Sequence, residues 1–397
     1  MPNTVDIFKT KIGLDTTFGH GQTVRHHAES VVVAVSTGQV TGWGEGAPRR
    51  YVTGETLDGA AESLERYDST RLLDAVAAAT TLAGAVVAIE SATLPDVLGN
   101  AAACALETAL LDLALRRFAR PVADLLTTID PTGRIFHQQA RAVPYSFVLE
   151  STRTVAEQLN ELASSTTTSP VAVKVKAHHD VDRTIADIGR LRDTPVTASA
   201  LISIDANGIW DRADCRRLRP IRGDVAWLEE PTGQRDWDEI AAIRHETQLP
   251  VMLDESITSV TDLATATRRH AVDLVNIRVS KFGGVIAAAR AISEISARGM
   301  GYQLGVQVAE VGPLWSFGRH LATHLRNPVA VEVGKQDLWF TTPTTLPAYR
   351  VDRRNHLATP ISGSGSGIEP SPHLLDSLIP ITPVRSHADR TNERTIA

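Results

Sequence analysis

Five short runs of apolar and β-branched residues, each ending on a charged side chain, govern what this 397-residue chain can fold into. They are Val171-Ala-Val-Lys-Val-Lys176, Leu201-Ile-Ser-Ile-Asp205, Val225-Ala-Trp-Leu-Glu229, Val251-Met-Leu-Asp254 and Val275-Asn-Ile-Arg-Val-Ser-Lys281. Their last residues stand 29, 24, 25 and 27 positions apart. A (β/α)₈ barrel of typically ~250 residues allots ~31 positions to each strand–helix unit and presents its working residues at the C-terminal strand ends. The spacing therefore predicts successive barrel strands that bring three acids and three lysines to one rim.

The rhythm continues on both sides. Val143–Leu149 reads as the first barrel strand with a helix over Thr152–Ala163, and weaker strands follow at Gly301–Glu310 and Val329–Gly334. Strand-then-helix alternation of this kind marks a parallel sheet with crossover helices. Upstream, residues 5–45 read as a strand meander, with Asp15–Thr23 a mobile loop between its first two strands. Residues 55–127 carry apolar positions at helical spacing, most clearly over Ala101–Leu115. The chain is expected to divide into an α+β unit over 1–135, a barrel over 136–345 and a loop-rich segment over 346–397. In that last segment Ser362–Gly367 reads as a flexible crossing, and the tail after Pro383 as disordered.

Composition narrows the partners. Hydrophobic residues make up 43% and charged residues 22%, as in soluble globular proteins, and a net charge of −6 gives no footing for nucleic acid or an anionic membrane. Cys104 and Cys215 match no metal or redox spacing and read as idle buried thiols; Glu107 and Asp112 read as structural. No apolar stretch reaches membrane-spanning length and the N-terminus lacks signal-peptide order, so a cytoplasmic enzyme acting on a small molecule is expected.

Asp205, Glu229 and Asp254 are hard oxygen donors, suited to Mg²⁺ and with Mn²⁺ as a substitute, and no His or Cys falls at these strand ends to suggest a softer metal. Lys174 and Lys176 project from one face of their strand, and paired ammonium groups disfavour each other's protonation, which makes a base. Lys281, from the sixth strand, would face Lys176 across a bound substrate.

In these motifs the chain resembles the enolase superfamily, and within it the muconate lactonizing enzyme (muconate cycloisomerase) subgroup. They are Lys174-x-Lys176, Asp205-x-Asn207, Glu229-Glu-Pro231, Asp254-Glu-Ser256 and Lys281-Phe-Gly-Gly284. Ala105–Asp112 with Arg120-Pro121 and Leu125-Leu126 is similar to the family's cap helix, and Gly367-Ile-Glu369 to the motif where the tail returns to it. The resemblance implies a (β/α)₇β TIM-like barrel with an α+β capping domain built from the N-terminal region and the C-terminal tail. It also implies one Mg²⁺ on Asp205, Glu229 and Asp254, with Asn207 and Glu255 behind those ligands. The implied chemistry moves a proton at the carbon α to a carboxylate through a metal-stabilised enediolate. Lys176 and Lys281 would be its acid/base pair and Lys174 the electrostatic helper.

Departures from the family pattern shape the expected activity. The eighth strand has no Asp-x-Asp, which disfavours dipeptide epimerase, and no His stands near Glu310, which disfavours mandelate-type chemistry; Thr127-Thr128 replace the usual Gly-Gly. The expected function is muconate cycloisomerase-like. The alternatives are N-acylamino acid racemase or o-succinylbenzoate synthase-like activity, a catalytically lapsed binding member, or an unrelated Schiff-base barrel. Phe18, His20, Arg50, Tyr51, Glu310 and Lys335 are the candidate substrate contacts, with Arg50 meeting a second carboxylate. A homodimer or octamer is expected by the same resemblance.

Overall fold

The computed structural model describes residues 3–20, 23–150, 153–333 and 335–381, with the side chains of 17–24 outside the description. The chain opens with three antiparallel strands, β1 (Thr4–His20), β2 (Thr23–Thr37) and β3 (Val40–Gly46). Of the segment read as a mobile loop, residues 15–20 and Thr23 are instead strand, where pairing resumes at Phe18↔Arg25 after a register shift beyond Gly13; residues 21–22 lie outside the description. The threonine-rich stretch supplies β propensity there that its glycines obscure in the sequence.

Helices α1 (Leu57–Arg66), α2 (Thr70–Ala78), α3 (Leu82–Ser91), α4 (Leu94–Leu98), α5 (Asn100–Arg117) and α6 (Val122–Ile129) follow. Every residue of α5 from Ala101 to Leu115 is buried, so this helix is enclosed on all sides and forms the axis of the cap. It lies directly on β3 because Gly44 leaves room: a Cβ there would stand 2.1 Å from the Ala105 carbonyl oxygen.

A parallel sheet of seven strands then curls round, in the order β11-β10-β9-β8-β7-β6-β5. Its strands are β5 (Phe147–Val148, after the bridge strand β4, Val143–Pro144), β6 (Ala172–Lys176), β7 (Leu201–Asp205), β8 (Trp227–Glu229), β9 (Val251–Leu253), β10 (Leu274–Ile277) and β11 (Gly301–Leu304). An eighth segment closes the ring. Glu332 donates its backbone N–H to Leu304 at 2.8 Å, and Ser146 donates to the Val331 carbonyl at 2.8 Å. Two further turns of helix bear on the mouth, Val279–Phe282 after β10 and Gln336–Trp339 after the eighth segment.

Cap and barrel share one core, in which Val31 and Leu106 of the cap join Val275 and Phe317 of the barrel. Two buried acids on α5 stitch them together. Glu107 accepts from the Val285 N–H at the start of the helix Val285–Ala297, satisfying a donor that helix cannot satisfy itself. Asp112 accepts from the backbone of Trp43 at 2.9 Å and of Ser366 at 2.6 Å, and from Arg116 at 2.8 Å. Both are therefore structural. The Ser362–Gly367 run is not a loose crossing either: Ser366 is buried, and Gly365 donates to the Arg120 carbonyl at 3.0 Å. The last described strand, Leu378–Pro380, pairs with β1, so the C-terminal segment completes the cap sheet. The tail after Pro383 lies outside the described residues. Cys104 and Cys215 are buried, and burial pushes both thiols up. No described helix is long and apolar enough to cross a membrane.

Candidate active site at the barrel mouth

The C-terminal ends of β6, β7 and β8 lie in register, with Lys176 beside Asp205 and Asp205 beside Glu229. A parallel ladder thereby carries adjacent strand ends to one rim, as the repeat spacing implies. Above them is a cavity of about 60 Å³ lined by Lys174, Lys176, Asp205, Arg278, Glu332 and Lys335, with Val148, Val306, Val308 and Trp339 as apolar wall.

Each acid is engaged by a cation. Lys174 Nζ lies 2.7 Å from Glu229 Oε2, 2.5 Å from Glu332 Oε1 and 3.9 Å from Asp205 Oδ2. Burial works against its charge, but these carboxylates outweigh that and hold its pKa above the ordinary lysine value. Lys176 Nζ is 2.5 Å from Asp205 Oδ2 and donates to Asn207 Oδ1 at 3.3 Å. Asp254 is bound by Arg278 and by Lys281, the latter at 2.9 Å. Asn276 Nδ2 bridges Glu229 at 3.0 Å and Asp254 at 3.2 Å. Behind them Glu230 accepts the backbone N–H groups of Asp254 at 2.9 Å and Ser256 at 3.3 Å, which fixes the turn that carries Asp254.

Among the described residues no three of His, Cys, Asp or Glu converge closely enough to hold a metal ion as their side chains stand. Asp205, Glu229 and Asp254 are each engaged instead by lysine or arginine side chains, Lys174 being shared between the first two. The donor set nevertheless fits a hard divalent cation. The six acids Asp205, Glu229, Glu230, Asp254, Glu255 and Glu332 outnumber the four cations Lys174, Lys176, Arg278 and Lys281 that the described pairs set beside them. Burial, with mutual repulsion, accordingly pushes Glu229 and Glu255 above the usual carboxylate range and Glu230 up to about 7. Carboxylates short of counter-charge show this behaviour.

The sixth strand is where sequence reasoning and structure part. β10 stops at Ile277 and the chain enters a helical turn, so Lys281 is not a strand-end residue. It is fully buried, with Nζ donating to the Asp254 carbonyl at 2.7 Å and the Asn276 carbonyl at 2.5 Å, and it does not line the cavity. Burial, reinforced by Arg278, pushes its pKa down to about 7. The strand-end residue is Arg278, which does line the cavity. A signal for it existed: Arg278 follows Asp254 by 24 residues, the same step as Asp205 to Glu229, whereas Lys281 requires 27. Asn276 also escaped the sequence reading, since a strand's interior positions carry no punctuation, and Glu332 reads there only as the end of the eighth strand.

The remaining candidates are dispersed. Lys335 lines the cavity and pairs with Glu150 at 3.0 Å. Glu310 is buried beside it in an adjoining pocket with Trp315 and Tyr349; burial and Glu45 push its carboxyl up to about 8, and Oε2 has no partner among the described residues. Arg50 is exposed to solvent and lines neither cavity. Its neighbour Arg49 is the buried one, donating to the Val308 carbonyl at 2.7 Å on the cavity wall. Tyr51 stacks under Arg25, whose guanidinium carbon lies 5.5 Å from the ring centroid. The side chains of Phe18 and His20 lie outside the described residues. Asn207 donates its N–H to Asp205 at 3.1 Å, and Glu255 is buried 4.0 Å from Arg278.

A capped parallel α/β barrel that gathers acids and lysines at its C-terminal mouth defines the class of barrel enzymes whose working residues stand at that rim. The chain belongs to the enolase superfamily: residues 4–127 match the mandelate racemase / muconate lactonizing enzyme N-terminal domain and residues 155–374 the enolase C-terminal domain-like family. It is similar to the N-succinyl-L-Arg/Lys racemase of Bacillus cereus, 25% identical over 77% of this chain and 79% of that one. The crystal structure of that racemase superposes with a TM-score of 0.79 over 95% of this chain and 97% of its own. The muconate lactonizing enzyme of Pseudomonas fluorescens, solved with muconolactone, gives a TM-score of 0.78 at 20% identity, covering 94% and 97%. A dipeptide epimerase of Enterococcus faecalis V583, solved with Mg and L-Leu-L-Tyr, gives 0.75 at 20% identity, covering 93% and 99%.

Proposed function

We propose that the chain is a Mg²⁺-dependent enzyme, an isomerase or carbon–oxygen lyase of the superfamily, that removes or adds a proton at the carbon α to a substrate carboxylate. The reading is muconate cycloisomerase-like. The observation that carries it is the placement of Lys174 and Lys176 in one cavity with Asp205, beside Glu229.

Asp205, Glu229 and Asp254 would hold the metal, which when bound supplies positive charge to a carboxylate whose negative charge grows as the proton leaves. The chain's own side chains do the rest. Lys176 Nζ, at the cavity surface, receives or returns the proton. Lys174, clamped between Glu229 and Glu332, stays charged and keeps those carboxylates apart. Val148, Val306, Val308 and Trp339 exclude water around the reacting carbon and strengthen every charge interaction inside. Lys335 and Arg278 give the mouth a cationic lining suited to an anionic substrate.

The similarity to the N-succinyl-L-Arg/Lys racemase supports a second reading of the same site, in which both enantiomers of an N-acylamino acid are handled. Either reading requires exchange of a substrate α-hydrogen with solvent deuterium. Screening carboxylic acids in D₂O with Mg²⁺ by mass shift tests this. Lys176→Ala should slow exchange by about 10²–10⁴-fold, and undiminished exchange in that variant would exclude Lys176 as the proton carrier.

A further inference from the structure

β6 and β10 lie four strands apart in the curled sheet, on opposite sides of the mouth. Across from Lys176 the cavity wall is Arg278. Its guanidinium binds Asp254 and donates through Nη1 to Gln307 Oε1 at 3.2 Å, while Nε has no partner among the described residues. The amine from the same strand, Lys281, is fully enclosed, and its three donors are taken by the Asp254 carbonyl, the Asp254 carboxylate and the Asn276 carbonyl. It has neither access to the cavity nor a free position for a substrate proton. A guanidinium keeps its charge throughout the working pH range and offers no acceptor, so it binds anions but does not carry protons as an amine does.

We infer that this is a one-base site. Lys176 alone moves the substrate proton, and Arg278 stands on the opposite face as a fixed donor that grips the substrate's anionic group. The inference rests on the α-proton reading above. In the step it describes, the α C–H bond breaks, the proton passes to Lys176 Nζ and the electron pair moves onto the substrate carboxylate; the return step delivers a hydron from the same side. Such a site exchanges, eliminates or cyclises with one configuration at the α-carbon. It lacks the second proton carrier that interconversion of enantiomers by transfer between two faces requires.

Two measurements on the Mg²⁺-loaded full chain test this. In the first, N-succinyl-L-phenylalanine and its D enantiomer are incubated separately in D₂O and followed by proton NMR and chiral chromatography. The expected result is exchange from one enantiomer with its configuration retained, and appearance of the other enantiomer only in Arg278→Lys, which restores an amine to that face. Wild-type interconversion of L and D forms at the rate of exchange would overturn the inference. In the second, succinate is titrated calorimetrically. Arg278→Met should weaken binding at least tenfold and Arg278→Lys by less, with melting temperatures checked for both. Unchanged affinity in Arg278→Met, or no binding by the wild type, would overturn the place given to Arg278. If succinate binds as expected but neither these enantiomers nor any acid of the D₂O screen exchanges, the α-proton reading fails and the one-base inference fails with it, while Arg278 keeps its place as the anion's partner.

Discussion

Replacing Lys174 with methionine removes one charge while keeping the length of the side chain, and the surroundings set the cost. Its ammonium lies 2.7 Å from Glu229 and 2.5 Å from Glu332, with side-chain exposures of 4%, 0% and 11% for the three residues. Breaking a buried ion pair by deleting one partner typically costs 3–5 kcal/mol, because the surviving charge is left without compensation. Here two carboxylates survive. In metal-free protein at pH 7.5 the expected loss is about 3–5 kcal/mol, a fall in melting temperature of about 4–6 °C for a chain of this length. Acid should relieve it. Glu229 already has its carboxyl raised by burial, and removal of Lys174 raises it further. A carboxyl whose folded-state pKa lies above its unfolded value binds more protons when folded, so its contribution to stability falls as pH rises through that interval. The gap between wild type and Lys174→Met should therefore narrow from pH 7.5 to pH 5, read by circular dichroism melts in chelator. A variant melting within about 1 °C of wild type at pH 7.5, or a gap that widens in acid, would refute the account of Lys174 as the compensating charge.

Other perturbations reach different parts of the molecule. Glu310 has its carboxyl raised to about 8, so the wild type should lose stability as pH climbs from about 4.5 through 8; Glu310→Gln, neutral at every pH, should flatten that stretch of the profile in thermal melts. Glu107→Ala strips the acceptor from the Val285 and Ile286 N–H groups and should cost about 1–2 kcal/mol, with Glu107→Gln recovering much of it in denaturant titrations. Mg²⁺ at 100 times its dissociation constant should add about 2.7 kcal/mol of stability, and Asp254→Asn should abolish most of that gain. Equal Mg²⁺ shifts in both proteins would remove Asp254 from the set of ligands.

The periodic part of this protein follows from the order of its residues. Hydrophobic runs at near-constant spacing can bury their faces only by curling into a parallel barrel, and the pleat then carries their last residues to one rim, so Lys174, Lys176, Asp205 and Glu229 were legible from the chain alone. The length of each strand was decided only in three dimensions. β10 ends at Ile277 because the chain then turns into helix beneath the cap, where Asn100 donates to the Lys281 carbonyl at 2.6 Å and to the Thr258 carbonyl at 3.0 Å. That three-residue difference moves Lys281 into the interior and sets Arg278 facing the cavity. Glu332 and Asn276 entered the site for a related reason: charge pairing depends on which side chains meet across the ring, and a linear pattern carries no record of distance across a barrel.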